Sequence, residues 1–216
     1  MLPTLIIGGV LLLGLLGLAG ALVLLVMRRR VHLPEVVSLE TATFPAEQLT
    51  ALQPLAQGLE GEGFVFAGVQ RETRGGSDCW QALFHDVERT LWAVVERSGA
   101  AEPRMVFHTF FESGRLVTTS EGEFADFDIT DRWRLNERRW PDLAGQLAAH
   151  RQAVLGGGAD LLAISDSEQF AGCYRRAMEG EIAHLESLGV LAPRGPAGEY
   201  GLRPWRAPGV TLQMLL

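Results

Sequence analysis

The hydrophobic pattern of this chain changes period along its length. From Leu5 to Met27 there is no polar interruption: 23 residues pass without a charge, and Arg28, Arg29 and Arg30 follow at once. At about 1.5 Å per residue, a helix of that length reaches roughly 34 Å, enough to cross a hydrocarbon core of about 30 Å. A transmembrane helix over residues 5 to 27 is therefore expected. A cleaved signal peptide would need a basic start, a shorter apolar core and a small-residue cleavage site. This chain opens on uncharged Met-Leu-Pro-Thr, and no cysteine follows the run to accept a lipid.

Residues 28 to 44 then read as a basic cluster and a stalk. FPAEQLTALQPLAQGLEGEGF carries apolar residues at helical spacing, Leu49, Leu52, Leu55 and Leu59, with Pro45 near the start and Pro54 placed to kink or shorten the helix. Past Gly61 and Gly63 the period becomes strand-like in GFVFAGVQ, CWQALFHD, TLWAVVER, RMVFHTFFE and RLVTTS. Residues 112 to 115, ESGR, mark a hairpin. The polar stretch EGEFADFDITDRWRLNERR reads as a solvated loop. A helix follows from near Pro141, with Leu143, Leu147 and Val154 on one face and Gly156 to Gly158 ending it. The last helix opens on a Ser165–Glu168 capping box and shows Phe170, Tyr174, Ala177, Met178, Ile182, Leu185 and Leu188, with Gly189 closing it. The expected fold class is α+β: an antiparallel sheet of about five strands, one leading helix and two later ones. The expected domain covers 45 to 216, with a sheet lobe over about 45–130 and a helical lobe over about 131–216.

Charge sets orientation and excludes partners. Basic residues beside a span stay on the cytoplasmic side, so the arginine cluster places residues 1 to 4 outside and the domain in the cytoplasm, anchored in the plasma (inner) membrane as a single-pass protein. Arg28, Arg29 and Arg30 also meet anionic headgroups at the membrane interface. Within the span, Gly17 and Ala21 form one small-xxx-small pair, the minimal signal for a weak homodimer. The chain carries −7 overall; its first 27 residues carry none and the cluster supplies +3, leaving −10 on residues 31 to 216. That balance argues against nucleic acid as a partner. All 19 basic residues are arginine, which excludes a Walker A lysine and a Schiff-base lysine. Cys79 and Cys173 stand apart with no zinc spacing.

The candidates for chemistry are few. His85 precedes Asp86, and His108 precedes Glu112 by four, so His85, His108 and Glu112 are the side chains from which a general base or metal site could be assembled on neighbouring strands. No HExxH or comparable ligand pattern supports it, and structural histidines are the expectation. The acidic residues Glu121, Glu123, Asp126, Asp128 and Asp131 lack the glycine and closing glutamate of a calcium loop. The serines have no nucleophile elbow around them. No cofactor or metal site is expected.

LAQGLEGEGFVFAG, LWAVVE, VFHTFFESGRLVTTSEG and EYGLRPWR together resemble a loose set of uncharacterised bacterial proteins. These share a leading helix ending in an LGF-like turn, a hairpin ending in a Leu-x-Thr-Ser-like strand, and a later helical part beside a membrane segment. The resemblance implies a bacterial membrane-associated α+β domain and carries no catalytic residues. The expected function is a single-pass membrane protein whose cytoplasmic domain binds a protein partner or serves a membrane assembly without catalysis. The alternatives are an anchored hydrolase or metal-dependent enzyme using the sheet histidines, and a lipid or small-ligand sensor using the strand aromatics.

Overall fold

The computed structural model describes residues 30–74, 76–121, 127–128, 133–156, 160–192, 195, 199–201 and 203. Two short strands, β1 (Arg30–His32) and β2 (Glu35–Leu39), precede helix α1 (Ala46–Gly61). Five strands follow: β3 (Val65–Arg74), β4 (Ser77–His85), β5 (Leu91–Ser98), β6 (Arg104–Phe110) and β7 (Leu116–Glu121). After β8 (Phe127–Asp128) and β9 (Trp133–Arg138) come α2 (Leu143–Leu155), α3 (Ser167–Ser187) and β10 (Glu199–Gly201). The chain divides into two compact units, Leu33–His184 and the pair of ends Met1–His32 with Leu185–Leu216. In the latter, β1 pairs antiparallel with β10.

The larger unit is built on one eight-stranded sheet ordered β2-β3-β4-β5-β6-β7-β9-β8. The α+β class and the five-strand antiparallel meander, β3 to β7, are as the periodicity indicates. Three further strands join it. The segment expected to be a stalk contributes β2, which pairs antiparallel along β3 from Glu35↔Thr73 to Leu39↔Val69. Part of the expected loop contributes β9, which runs parallel to β7 from Leu116↔Trp133 to Glu121↔Arg138, with β8 beside it. Strand β2 was hidden because it is short and largely exposed, without an alternation of buried and exposed positions. The sheet thus extends beyond both ends of the lobe expected at about 45–130.

Both faces of the meander are covered. On one face α1 and α2 bury Leu52, Leu59, Phe84, Val95, Phe107 and Leu147. On the other, α3 and the segment before it bury Trp92, Val94, Phe110, Leu116, Ile164 and Phe170. β5 is accordingly buried at six successive positions from its start, without the alternation of a half-exposed strand. The α1 stripe is turned slightly from expectation: Leu52 and Leu59 are buried with Gln48, whereas Leu49 is exposed. Pro54 does not end that helix. Helix α2 starts on an Asp142 cap that accepts from Gly145 N at 2.7 Å, and it buries Gln146 and His150 beside Leu147. The cap of α3 lies one residue later than expected: Asp166 accepts from Gln169 N at 2.8 Å, while the Gln169 side chain reaches back to Ser165 N at 2.6 Å. Leu188, assigned to the buried face, is exposed.

No helix among the described residues is long and apolar enough to cross a membrane. Residues 1 to 27, with the expected tail and span, lie outside the described residues, as do Arg28, Arg29 and the C-terminal leucines. Arg30 begins β1.

Phe107 is fully buried between the Phe64 ring at 6.0 Å and the His150 ring at 5.7 Å. Phe107→Ala is expected to lower unfolding stability by about 3–5 kcal/mol, whereas Val87→Ala, at a position 83% exposed, changes it by less than about 0.5 kcal/mol. Denaturant melts of the two variants check this pair.

Candidate functional site

The meander brings polar residues of five strands together on the face that α3 partly covers. Residues two apart on a strand share a face, so Gln70 and Glu72 of β3, Cys79 and Gln81 of β4, Glu96 and Ser98 of β5, His108 of β6, and Thr118 and Ser120 of β7 all project the same way. They line a cavity of about 420 Å³, closed on one side by Phe170 and Tyr174 of α3. Ser77, Ser98 and Arg104, at the strand ends, are its exposed lining residues. The size lies within the range of small-molecule pockets.

Its floor is a hydrogen-bond relay with a fixed direction. Gln81 Nε2 donates to Glu72 Oε2 at 3.0 Å and to Glu96 Oε2 at 2.9 Å. Two carboxylate acceptors on one amide determine which way the Gln81 amide points, because its oxygen would meet only acceptors there. Gln81 Oε1 therefore faces Gln70 and accepts from Gln70 Nε2 at 2.6 Å. Gln70 in turn must present its nitrogen, and its Oε1 is left buried with no hydrogen-bond partner. Gln70 is only 1% exposed, and an unsatisfied buried acceptor costs about 1–3 kcal/mol. At the other end Arg104 Nε donates to Glu96 Oε1 at 2.6 Å.

Two groups here are poor reagents for catalysis. Burial, reinforced by the Glu96 carboxylate, pushes the Cys79 thiol up to about 12, so the nucleophilic thiolate is not populated near neutrality. Cys79 donates to Glu96 Oε2 at 3.7 Å instead. Burial pushes His108 down to about 4, the Glu96 carboxylate opposing the shift, and its Nδ1 lies 3.1 Å from Thr118 Oγ1.

The residues proposed for chemistry from sequence do not converge. His85 and His108 point to the same face, but both are register partners of Trp92, which stands between them on β5. His85 Nδ1 lies 2.6 Å from the Asp86 carbonyl. The Asp86 carboxylate serves the β4–β5 turn, accepting from Thr90 N at 2.9 Å and Leu91 N at 3.1 Å. Glu112 lies past the end of β6 in the exposed turn before β7, and its backbone N–H donates to Asp160 O at 2.9 Å. No cluster of three or more potential metal ligands occurs among the described residues. Glu123, Asp126 and Asp131 of the acidic stretch lie outside them.

Sequence reasoning missed Gln70, Glu72, Gln81, Glu96 and Arg104. A signal was present: the pairs Gln70/Glu72, Cys79/Gln81, Glu96/Ser98 and Thr118/Ser120 repeat a polar i, i+2 pattern on four strands. It also missed His150 of α2, which lies on the opposite face of the sheet. The ring nitrogens of His150 stand 3.0 Å from Thr109 Oγ1 and 2.9 Å from Thr119 Oγ1. One hydroxyl receives the ring N–H and the other donates to the bare nitrogen, an arrangement that requires the neutral ring.

Helix α3 is held over the cavity by an anchored turn. Arg89 takes a left-handed φ of 59°, a conformation costing a non-glycine residue about 1–3 kcal/mol. Its guanidinium donates to Ser165 O at 2.6 Å, and its own carbonyl accepts from Ile164 N at 3.0 Å and Trp92 Nε1 at 3.3 Å. These contacts tie the β4–β5 turn to the segment leading into α3, where Phe170 stacks on Trp92 at 4.9 Å. Across the sheet, Gly68 sits at a β-bulge with φ +147°, and a Cβ there would lie 3.4 Å from Ser167 Oγ.

No protein-family model, curated protein or solved structure matches this chain.

Two outcomes follow for the buried groups. Cys79 should resist iodoacetamide at about pH 8 in the folded chain and react on unfolding; peptide mass analysis reads both. Burial pushes His150 down to about 3, and His108 behaves alike. The unfolded chain binds protons on both near the ordinary 6.5, and the folded chain binds them only near 3 to 4. Their linkage therefore leaves stability unaffected above about pH 7 and lowers it as pH falls through about 6.5 towards 4, by about 1.4 kcal/mol per pH unit for each histidine. Denaturant melts between about pH 7 and 5 should show that slope, and His150→Gln should remove about half of it.

Proposed function

We propose that this chain is a membrane-anchored, non-catalytic binding module whose sheet-face cavity takes a small polar molecule. The observation that carries this reading is the cavity and its floor, where an oriented relay holds the Gln81 amide between the Glu72 and Glu96 carboxylates. A cavity of about 420 Å³ lined by polar side chains of five strands and by Phe170 and Tyr174 of α3 has the size and the mixed polar and aromatic lining of a small-molecule site. The unreactive state of Cys79, the low basicity of His108 and the separation of His85 from His108 favour binding over hydrolysis.

The anchor in this reading is the uncharged run from Leu5 to Met27, with Arg28 to Arg30 holding the domain on the cytoplasmic side. A protein partner is a second reading, favoured by exposed Val65, Phe66 and Val87 around the β3 start and the turn after β4. A photocrosslinker at Val87 in the native membrane should yield one discrete protein adduct; its absence would remove that reading.

The cavity is tested by ligand-observed NMR on the full chain in detergent, using a fragment set of mixed charge. Fragments should bind the native chain and lose binding in Val106→Phe, which fills the cavity from β6; Ser120→Leu serves if that variant does not fold. Fragments that bind all variants equally, or none at all, would remove the small-molecule reading.

A further inference from the structure

Resting on the binding reading above, we infer that the cavity takes a small phenol, a flat aromatic ring whose neutral hydroxyl meets Nε2 of His108.

His108 is 6% exposed and lines the cavity from β6. One ring nitrogen, Nδ1, stands 3.1 Å from Thr118 Oγ1. The other, Nε2, has no hydrogen-bond partner among the described residues, yet it is not sealed off as the Gln70 oxygen is. What surface it keeps therefore opens into the cavity. Ser120 of β7 is in the same state: 6% exposed, lining the same cavity, with a hydroxyl that has no partner among the described residues and is not sealed off. In register Ser120 lies opposite Val106 and Thr118 opposite His108, so Ser120 and His108 are diagonal neighbours about 7–8 Å apart. Buried polar groups take hydrogen-bond partners, and for these two the partner has to enter the cavity.

What they offer determines what suits them. Burial pushes His108 down to about 4, so the ring is neutral near pH 7. Its Nε2 is then an N–H donor or a bare acceptor, according to which way the Thr118 hydroxyl turns. A head that only donates or only accepts answers one of these forms. A hydroxyl answers both, and it answers Ser120 as well. The surroundings of Nε2 are flat and apolar. Phe170 and Tyr174 lie with ring planes 4° apart and centroids at 6.3 Å, and His108 meets them edge-on at 5.8 and 5.5 Å. With Val94 and Val106 on the strands, these rings give an aromatic body a wall to pack against beside the hydroxyl's partner.

The test uses the full chain in detergent near pH 7, where a phenol is un-ionised, with phenol, toluene and benzoate as probes that share one ring. Calorimetry reads affinity, and NMR reads the histidine ring nitrogens, His108 being assigned through its contacts with the Tyr174 ring. Phenol should bind at least about fivefold more tightly than toluene or benzoate. It should shift the His108 Nε2 signal and leave those of His150, bonded to Thr109 and Thr119 on the opposite face, in place. In His108→Phe the advantage of phenol over toluene should fall below about twofold; if that variant does not fold, the signal shift in the native chain decides. Phenol no tighter than toluene, benzoate tighter than phenol, an unmoved His108 signal, or an advantage that survives His108→Phe overturns the assignment. If fragments still bind in a Val106-dependent way, only the phenol assignment falls and the cavity reading stands. If none of the three probes and no fragment binds, both fall together.

Discussion

Covering the meander on both faces imposes the condition that shapes the rest of this domain. Strands of an antiparallel sheet commonly leave one face to water, where polar side chains need no partner. Here α1 and α2 take one face and α3 the other, so each polar side chain on the central strands has to be satisfied inside the protein or left wanting. On the α2 face His150 and Gln146 meet the condition by reaching threonine hydroxyls and strand carbonyls. On the α3 face it is met by a chain of donors that runs out at Gln70. The two faces of one sheet thus have different characters, one a closed core and the other a core with an opening.

That difference depends on how α3 is seated. Its contact with the sheet runs through large rings, Phe170 on Trp92 and Tyr174 near His108, which hold the helix away from the strands at the polar end. The Arg89 turn fastens the start of the helix at the opposite, apolar end. A helix fixed at one end and propped by aromatic rings leaves space beneath it, and the polar residues of β3 to β7 occupy the floor of that space.

The meander was legible in the sequence because its strands are rich in β-branched and aromatic residues and are separated by turn signals such as ESGR. Helix α3 was legible from its apolar spacing, its cap only to within one residue, because Asp166 accepts from the Gln169 amide while the Ser165 hydroxyl donates to Asp166 and Gln169 instead of capping. Strand β2 was illegible: Glu35–Leu39 is largely exposed and shows no alternation. The buried polar face of α2 escaped for the opposite reason, since nothing in the sequence marks Gln146 and His150 as buried until the strand carbonyls and threonine hydroxyls that meet them are known. The site escaped because its residues are ordinary singly, and only strand register makes neighbours of Glu72, Gln81 and Glu96. The histidines attracted notice by residue type alone, and register placed Trp92 between them.

The two ends of the sheet bear on how the protein behaves in a crowded cell. A sheet that is not closed into a barrel has two edges, and a long flat edge is a template on which another chain can pair. Among the described residues the β8 edge is two residues long, and the β2 edge is five residues long, with Pro34 before it and Glu35 as its first residue. Proline withholds a backbone donor and a charge disfavours stacking against a like neighbour. The short, interrupted borders of this sheet therefore protect it from growing by addition of further strands, while its long, hydrophobic central strands, the most prone to aggregate, lie furthest from both borders.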